Sequence, residues 1–433
     1  MSARSALRLA LATITAAIAF AGLTGVAEAQ DAESSIKGRL ERVEGDEREP
    51  VEGVEITVVQ DGEVIGTTTS ATDGTWEVVV PAGGVYEVTL NVDTLPEGVS
   101  PTQPDRMSLT DVSVRDGQNK TVRFNLGPGA ASEGGASTLD KVGDRILLGL
   151  KLGSIIALAA VGLSLIFGVT DLVNFAHAEM ITFGAVVAYF FNVAGAGPGW
   201  TLVLAAIPTI ILSGGFGAAQ ELGLWRPLRR RRVSTVSMLV ISIGLSFAVR
   251  NVILVILGGE PENYAQYVIQ NERTFLFFDT VPKNIIIIAS SVVILGFVGL
   301  FLLHTRAGVA VRAVADNKDL AESSGIDVNR VILITWILGG ALAGLSGIYL
   351  GLTEKVQWDL GFRMLLLVFA AVVLGGLGTA FGAMLGGFVI GLAVELSTLW
   401  LPTELKNAVA LAALILMLLW RPQGLLGSRE RIG

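Results

Sequence analysis

The sequence of 433 residues contains no cysteine and only two histidines. Without cysteine there can be no disulfide, no thiolate metal site and no cysteine nucleophile. The two histidines stand in no metal-ligand cluster and no Ser/His/Asp arrangement for hydrolysis. The G-x-x-x-x-G-K-[ST] loop that cradles phosphates is absent as well. We therefore expect no enzymatic activity, no cofactor and no bound metal.

Charged residues are also scarce, at 16% of the chain, whereas 52% of the residues are hydrophobic and the mean hydropathy is +0.63. This composition is typical of an integral membrane protein with a polar extension. The polarity is uneven, because residues 31–128 are acidic and nearly everything after Leu147 consists of long apolar runs. The net charge of -8 comes largely from the first part and gives no indication of a nucleic-acid partner.

Residues 1–29 have the pattern of a secretory signal peptide. Two arginines precede an apolar stretch over residues 9–23, and the small-residue pattern Ala27-Glu28-Ala29 follows it. An uncleaved first transmembrane helix is the alternative. Under either interpretation, the residues that follow are delivered outside the cytoplasm.

Residues 31–126 carry strand signals at short intervals and predict a small extracytoplasmic β-sandwich. VEITVVQ and EVIGTTT flank Asp61-Gly62, which is typical of a two-residue hairpin turn. The segment resembles the carboxypeptidase-regulatory-like β-sandwich family, which implies a structural or docking module. Residues 127–140, with the run GPGAASEGGAST, are a predicted flexible linker.

Residues 141–433 contain many apolar stretches that approach the length of about 20 residues needed to cross a bilayer. We predict an all-α polytopic membrane domain of about 8–9 transmembrane helices. The last stretches, within residues 364–400, are short and rich in glycine, so a re-entrant pair is the alternative to two spans there. The candidate spans are 146–168, 176–195, 199–221, 234–257, 284–303, 329–351, 364–378, 381–400 and 406–420.

Loop charges predict the orientation of these spans. The run WRPLRRRR at 225–232 holds five arginines, and both the loop 304–330 and the C-terminal tail are basic, whereas residues 258–283 are mainly acidic. Because basic loops face the cytoplasm, the N-terminal domain is expected outside and the C-terminus inside. We therefore expect a multi-pass protein of the cytoplasmic membrane.

The basic loop 304–330 contains the signals of a short helix. Asp316 is placed to cap a helix over about 317–324, with Asp319 three residues further on, and Gly325 is a typical C-terminal stop. A short helix fixed between two spans can transmit rigid-body motion. An interfacial helix lying on the bilayer is the alternative.

Four stretches resemble the branched-chain amino acid ABC-transporter permease family over about residues 140–430. They are LGSIIALAAVGLSLIFGVTDLVNFAHAEMITFGAVVAY, RAVADNKDLAESSGIDVNRVILITWILGGALAGLSGIYLG, AAVVLGGLGTAFGAMLGGFVIGLAVE and WRPQGLLG. The resemblance implies the permease subunit of an ATP-binding-cassette importer of branched-chain or related amino acids. It also implies four kinds of partner: the lipid bilayer, a second homologous permease, two ATP-hydrolysing subunits and an extracytoplasmic solute-binding protein.

The same resemblance implies that the segment 312–326 couples the permease to its ATPase. The residues expected to make this contact are Arg312, Ala313, Asp316, Asp319, Leu320, Ala321, Gly325 and Ile326.

Three other functions stay open from the sequence. Importers of urea or short amides belong to the same family and have similar membrane subunits. A secondary transporter without an ATPase would need an ion-coupling carboxylate inside a span. The deepest candidates for that role, Glu221 and Glu395, fall near span ends. A membrane-anchored glycan-binding module would leave most of the spans unexplained.

The stretch GVTDLVNFAHAEM, residues 168–180, places several polar side chains between two apolar runs. The topology predicts that Asp171 lies near the cytoplasmic boundary. Asn174 and His177 are three residues apart and are predicted to share a helix face. We expect Asn174, His177 and Glu179 to line a gate or the inner solute pathway, or else to brace helix ends through hydrogen bonds, and we expect no catalytic centre here.

Overall fold

The computed structural model of the chain forms two compact units, one within residues 34–128 and one within residues 138–427. The predicted signal peptide and residues 129–137 of the predicted linker lie outside the described residues. The described ranges are 34–44, 47–60, 62–96, 99–101, 107–114, 119–122, 124–128, 138–194, 196–266, 273–275, 278–402, 405–421 and 423–427.

The first unit consists of short β-strands around its own apolar core, as predicted from the strand signals. The described residues of this unit form three sheets with the strand orders β5-β4-β7-β9, β10-β1-β6 and β3-β2-β11-β8. Strand β6 alternates buried and exposed residues, which places Trp76 in the core. The strands are β1 Ser34–Arg39, β2 Glu41–Glu44, β3 Glu47–Pro50, β4 Glu55–Gln60, β5 Glu63–Thr69, β6 Thr75–Val80, β7 Gly84–Leu90, β8 Val99–Pro101, β9 Ser108–Val114, β10 Asn119–Val122 and β11 Asn125–Pro128.

The hairpin between β4 and β5 follows the predicted turn. Gln60 pairs with Glu63 across the two strands, and Gly62 between them has a φ of +85°. Glycine adopts this left-handed conformation without a steric penalty, so the Asp-Gly pattern in the sequence specifies the turn.

The second unit is helical, and its described residues include a small two-stranded sheet in the loop before α6, formed by β12 Arg273–Phe275 and β13 Phe278–Thr280. Its helices are α1 Thr138–Thr170, α2 His177–Asn192, α3 Leu202–Gln220, α4 Arg226–Arg230, α5 Thr235–Leu257, α6 Pro282–His304, α7 Arg306–Asp316, α8 Lys318–Ser323, α9 Val328–Thr353, α10 Leu360–Gly375, α11 Ala380–Ser397 and α12 Lys406–Trp420.

Within the described residues, six helices are long and apolar enough to cross a bilayer. They are α1, α5, α6, α9, α11 and a continuous helix over Leu202–Arg230 that joins α3 to α4 through a π-helical turn. The apolar helices α2, α10 and α12 are shorter, at 15 or 16 residues each. A multi-span helical unit is therefore present, whereas helix length in the described residues does not confirm the predicted number of 8–9 crossings.

Helices α1 and α9 form the centre of the unit, and glycines let other helices approach them closely. Gly391 of α11 lies against the backbone of Gly153 in α1, and Gly184 of α2 lies against the backbone of Gly344 in α9. Small residues serve this purpose in membranes, where association depends on close van der Waals packing. Within the glycine-rich run 375–391, Gly387 lies against Ala157 of α1, whereas Gly386 lies against Ala371 of α10.

The basic segments meet at one end of the helical unit. The guanidinium of Arg226 donates a hydrogen bond to the carbonyl of Asn329, over 2.9 Å. The tail residue Leu426 donates its backbone N–H to the carbonyl of Gly375, also over 2.9 Å. Gly168, near the end of α1, lies beside Gly378 and Ala315. We call this the arginine-rich end, defined by residues 226–232, 306–330 and 421–427.

We predict that Gly184→Ala destabilises the helical unit, because the new methyl group would overlap the backbone of Gly344. Overpacking of this kind costs about 1–3 kcal/mol of unfolding free energy. The matched control is Gly244→Ala in α5, where a Cβ meets nothing within 4 Å. Thermal unfolding in detergent should show a lower midpoint for the first variant only. Equal midpoints for the two variants would contradict the packing account.

Candidate functional site

The polar stretch after α1 turns back into the helical unit. α1 ends at Thr170, and α2 begins only at His177. Asp171 has a φ of +54°, in the left-handed region, and the residues up to Asn174 are irregular. The Nε2 atom of His177 lies 3.0 Å from the carbonyl oxygen of Ala159. Ala159 is eleven residues before the end of α1, which is about 16 Å along the helix axis. Helix α2 therefore begins roughly halfway across the span.

Asn174 and His177 do not share a helix face, so that prediction is wrong. Asn174 precedes the helix, and its side-chain oxygen accepts the backbone N–H of Ala176 over 3.1 Å. An asparagine that bonds to nearby backbone groups offers the chain an alternative to helix. His177 is the first residue of α2, and both side chains are fully buried.

Glu179, in the first turn of α2, forms an ion pair with an arginine from α5. The Nε atom of Arg250 lies 3.3 Å from Oε1 of Glu179. The hydroxyl of Ser246 donates to the same oxygen over 2.8 Å. The carboxylate is 0% exposed and the arginine side chain 8% exposed. The guanidinium also lies over the ring of Phe362, 3.8 Å from its centroid, which is a cation–π distance.

The ion pair lies close to the middle of a span. Ser246 is the central residue of the 23-residue helix α5, eleven residues from either end. Ser242, Ser246 and Arg250 are spaced four residues apart and form one buried stripe on a helix whose other residues are mostly apolar. Ser242 accepts the backbone N–H of Phe175 over 3.1 Å. The whole stripe thus faces the polar stretch that leads into α2.

Charged groups border this stripe at the start of α10. The backbone N–H of Gly361 donates to the hydroxyl of Thr182 over 3.0 Å, so α10 begins at the level of α2. Arg363 pairs with Asp359 over 2.8 Å, and its side chain is 57% exposed in this chain. Arg363 lies twelve residues before the end of α10, or about 18 Å from the arginine-rich end. An arginine exposed at this depth faces water or another protein and not lipid.

Arg250 was not among the predicted site residues. The prediction that Glu221 and Glu395 are the carboxylates deepest in the spans is also wrong. Glu221 lies in the π-helical turn at the arginine-rich end and pairs with Arg226 and Arg229. Glu395 lies at the opposite end, 3.8 Å from Arg145. Both are near helix ends as predicted, but Glu179 is deeper. An arginine inside the apolar run VISIGLSFAVRNVILVIL was the available signal, because an intramembrane charge marks a functional site by default.

The predicted coupling segment consists of two helices, α7 and α8. Asp316 is the last residue of α7, so it does not cap the second helix as predicted. The cap is Asn317, whose side-chain oxygen accepts the backbone N–H of Leu320 over 2.9 Å. Gly325 follows α8 with a φ of +86°, as expected of a helix stop.

The residues predicted to make the coupling contact divide into exposed and buried sets. Ala321 is buried, and its carbonyl accepts the backbone N–H of Ile326 over 3.1 Å. Leu320 is 64% exposed, so α8 presents an apolar side chain outward. Among the other residues of the set, Arg312, Asp316, Asp319 and Gly325 are exposed and Ala313 and Ile326 are partly buried.

An ion pair joins the predicted coupling segment to the polar stretch after α1. The Nζ atom of Lys318, the first residue of α8, lies 2.5 Å from a carboxylate oxygen of Asp171. Both side chains are solvent-accessible, so the pair contributes little stability. It nevertheless brings together the start of α8 and the stretch that ends at Glu179.

Two depressions lie away from the ion pair. A groove of about 340 Å³ between α6 and α11 is lined by Val292, Leu295, Gly296, Gly299, Leu300, Leu303, Phe381, Met384 and Phe388. These residues are apolar and suit lipid or a helix better than a polar solute. A recess of about 140 Å³ at the end opposite the arginine-rich end is lined by Asn263, Tyr264, Lys283, Gly351, Leu352, Thr353, Glu354 and Lys355.

Tyr264 is a buried lining residue of that recess. Burial raises the pKa of its phenol well above the ordinary value, so the group stays protonated and donates to the carbonyl of Ala185 over 3.1 Å. This contact fixes the loop before α6 onto the middle of α2.

Helices long enough to cross a bilayer, together with a buried ion pair at mid-span, define a multi-span membrane protein with charged groups in its interior, as in solute transporters. Comparison with known families makes the class specific. Residues 145–418 match the branched-chain amino acid transport system / permease component family. The chain belongs to this family.

Individual relatives agree with this assignment. The chain is 33% identical over 293 residues to the high-affinity branched-chain amino acid transport system permease protein LivH of Escherichia coli K12, covering 65% of this chain and 94% of LivH. It is 30% identical over 302 residues to the corresponding protein BraD of Pseudomonas aeruginosa, covering 66% and 96%. It is 30% identical over 307 residues to a probable LivH of Methanocaldococcus jannaschii, covering 67% and 94%. No solved structure matches.

We predict that neutralising only one member of the ion pair is worse than neutralising both. Arg250→Met leaves the Glu179 carboxylate buried without a cation, which costs about 3–5 kcal/mol of unfolding free energy. The double variant Glu179→Gln/Arg250→Met removes both charges and should recover most of that loss. A double-mutant cycle on thermal unfolding measures the coupling. Additive effects of the two substitutions would show that the two charges do not stabilise each other.

Proposed function

We propose that this chain is the transmembrane permease subunit of an ATP-driven importer of branched-chain or related amino acids. The family match over residues 145–418 is the observation that carries the proposal. The relatives LivH and BraD are branched-chain amino acid permeases by name, and this chain covers nearly their whole length. The buried charged groups at mid-span support a route for a polar solute.

ATP hydrolysis in this proposal belongs to other subunits, because the sequence contains no phosphate-binding loop. The proposed assembly comprises a second homologous permease, two ATP-hydrolysing subunits and an extracytoplasmic solute-binding protein. The arginine-rich end is the cytoplasmic end, in keeping with the distribution of loop charges. The β-strand unit then lies outside, and the C-terminus lies inside.

The coupling contact in this proposal is the segment 312–326, with α8 as the part that docks on the ATPase. The exposed Leu320 supplies an apolar side chain for that contact, and Asp319 supplies a charge beside it. Both ends of the segment are anchored, because α7 follows α6 directly and α9 begins soon after α8. A displacement of α8 is therefore transmitted to the helices on either side of it and is not absorbed by a flexible loop.

The central test is uptake in proteoliposomes that contain the permease with all proposed partners. Labelled leucine should accumulate only when ATP and both ATPase subunits are present. Uptake by this polypeptide without any ATPase would overturn the proposal and favour a secondary transporter.

A variant of α8 tests the coupling role directly. Glu322→Pro removes a backbone N–H and clashes with the preceding turn, which costs about 3 kcal/mol in a helix interior. We predict that this variant inserts normally into the membrane but loses ATP-dependent leucine uptake. Glu322→Gln is the matched control, since it changes the charge and keeps the helix. Normal uptake by the proline variant would remove the coupling role of α8.

A further inference from the structure

The Glu179–Arg250 pair uses only part of its hydrogen-bonding capacity. One carboxylate oxygen, Oε1, accepts from both Ser246 and Arg250, while the buried Oε2 has no partner among the described residues. Arg250 donates through Nε to Glu179 and through Nη2 to Ser246. A bracing salt bridge is strongest when it is bidentate, and this one is a single-point contact at 3.3 Å. The geometry leaves both charges able to take a further partner.

A zwitterionic head group has the chemistry to use that capacity. Its ammonium and carboxylate lie on one carbon, so they fit two protein groups of opposite charge that are already adjacent. When a zwitterion inserts, each charge exchanges one partner for another and none is left unpaired at membrane depth. This matters because an unpaired buried charge is far more costly than a paired one.

The surroundings supply the remaining features of such a site. The guanidinium carbon lies 3.8 Å from the ring centroid of Phe362 and 4.9 Å from that of Phe247. The two residues are 43% and 55% exposed in this chain. They offer apolar surface for a branched side chain next to the charges. Arg363 is exposed and paired with Asp359, and intramembrane arginines almost always face protein or water. We therefore infer that this face does not border lipid.

We propose that Glu179 and Arg250 form a transient binding site for the head group of a zwitterionic amino acid at the middle of its path through the membrane. Arg250 binds the carboxylate, the free oxygen of Glu179 binds the ammonium, and the two phenylalanines contact the side chain. The site rests on the proposed amino acid import function and specifies where the solute is held. A neutral solute such as urea cannot exchange partners with the ion pair in this manner.

The absence of cysteine from the chain permits a direct test with Ser246→Cys, whose thiol would lie between the two charges. In the full assembly, a water-soluble methanethiosulfonate reagent should modify this thiol during ATP turnover. Leucine at saturating concentration should slow the modification about tenfold. The thiol reacts only when the site is empty, and leucine then leaves about one site in ten empty. Leucinamide, 4-methylpentanoate and urea, each lacking one or both charges, should not protect.

Two comparisons make the result specific. Adding Glu179→Gln to Ser246→Cys should abolish protection by leucine. Ser290→Cys on α6 is the matched control, since Ser290 bonds to Tyr349 and lies away from the ion pair, and leucine should leave its modification rate unchanged. A Ser246→Cys thiol that never reacts, or that reacts equally with and without leucine, would overturn the site.

The import function and the binding site at the ion pair can be refuted separately. If the wild-type assembly accumulates leucine with ATP but leucine gives no protection at Ser246→Cys, the binding site is refuted and the import function stands. If the wild-type assembly accumulates no amino acid, the import function itself is refuted.

Discussion

The ion pair between Glu179 and Arg250 places two buried charges inside the helical unit, and the helices around it are arranged to accommodate them. Two charges at the centre of a span are tolerated only when they pair and when the protein excludes lipid from them. The polar stretch after α1 turns inward to bring Glu179 to this depth, and α5 places Ser242, Ser246 and Arg250 on the face that meets it. Helix α10 begins beside them. Irregular backbone inside a membrane is allowed only where protein covers it, and the close packing of α2 and α9 through Gly184 and Gly344 provides part of that cover.

Local signals in the sequence predicted those parts of the fold that depend on local physics. Apolar runs located the helices, the Asp-Gly pair located the β4–β5 turn, and Gly325 located the end of α8. The start of α8 was misplaced by one residue, because Asp316 and Asn317 are both good caps and only packing decides between them. The family resemblance, which rested on four stretches in order, is confirmed by the match over residues 145–418.

The site itself depends on contacts that no local pattern encodes. Arg250 is 71 residues from Glu179 in the chain, and pairing over that separation follows from the fold alone. The run NFAHAE is compatible with helix at every position, so its periodicity favoured a helix face shared by Asn174 and His177. The structure instead begins α2 at His177, because the buried side chain of Asn174 bonds to the backbone just ahead of the helix. The depth of Glu179 was misjudged because hydropathy does not reveal a chain segment that turns back into the helical unit.

The contact between Lys318 and Asp171 gives the proposed coupling helix a short route to the ion pair. Only the stretch from Asp171 to Glu179 separates α8 from the carboxylate at mid-span. The most direct measurement of the central claim is ATP-dependent leucine uptake by the assembly that carries the doubly neutral variant Glu179→Gln/Arg250→Met. If the pair handles the solute, this transporter assembles and hydrolyses ATP but accumulates almost no leucine. Uptake at the wild-type rate would show that the pair only braces the fold.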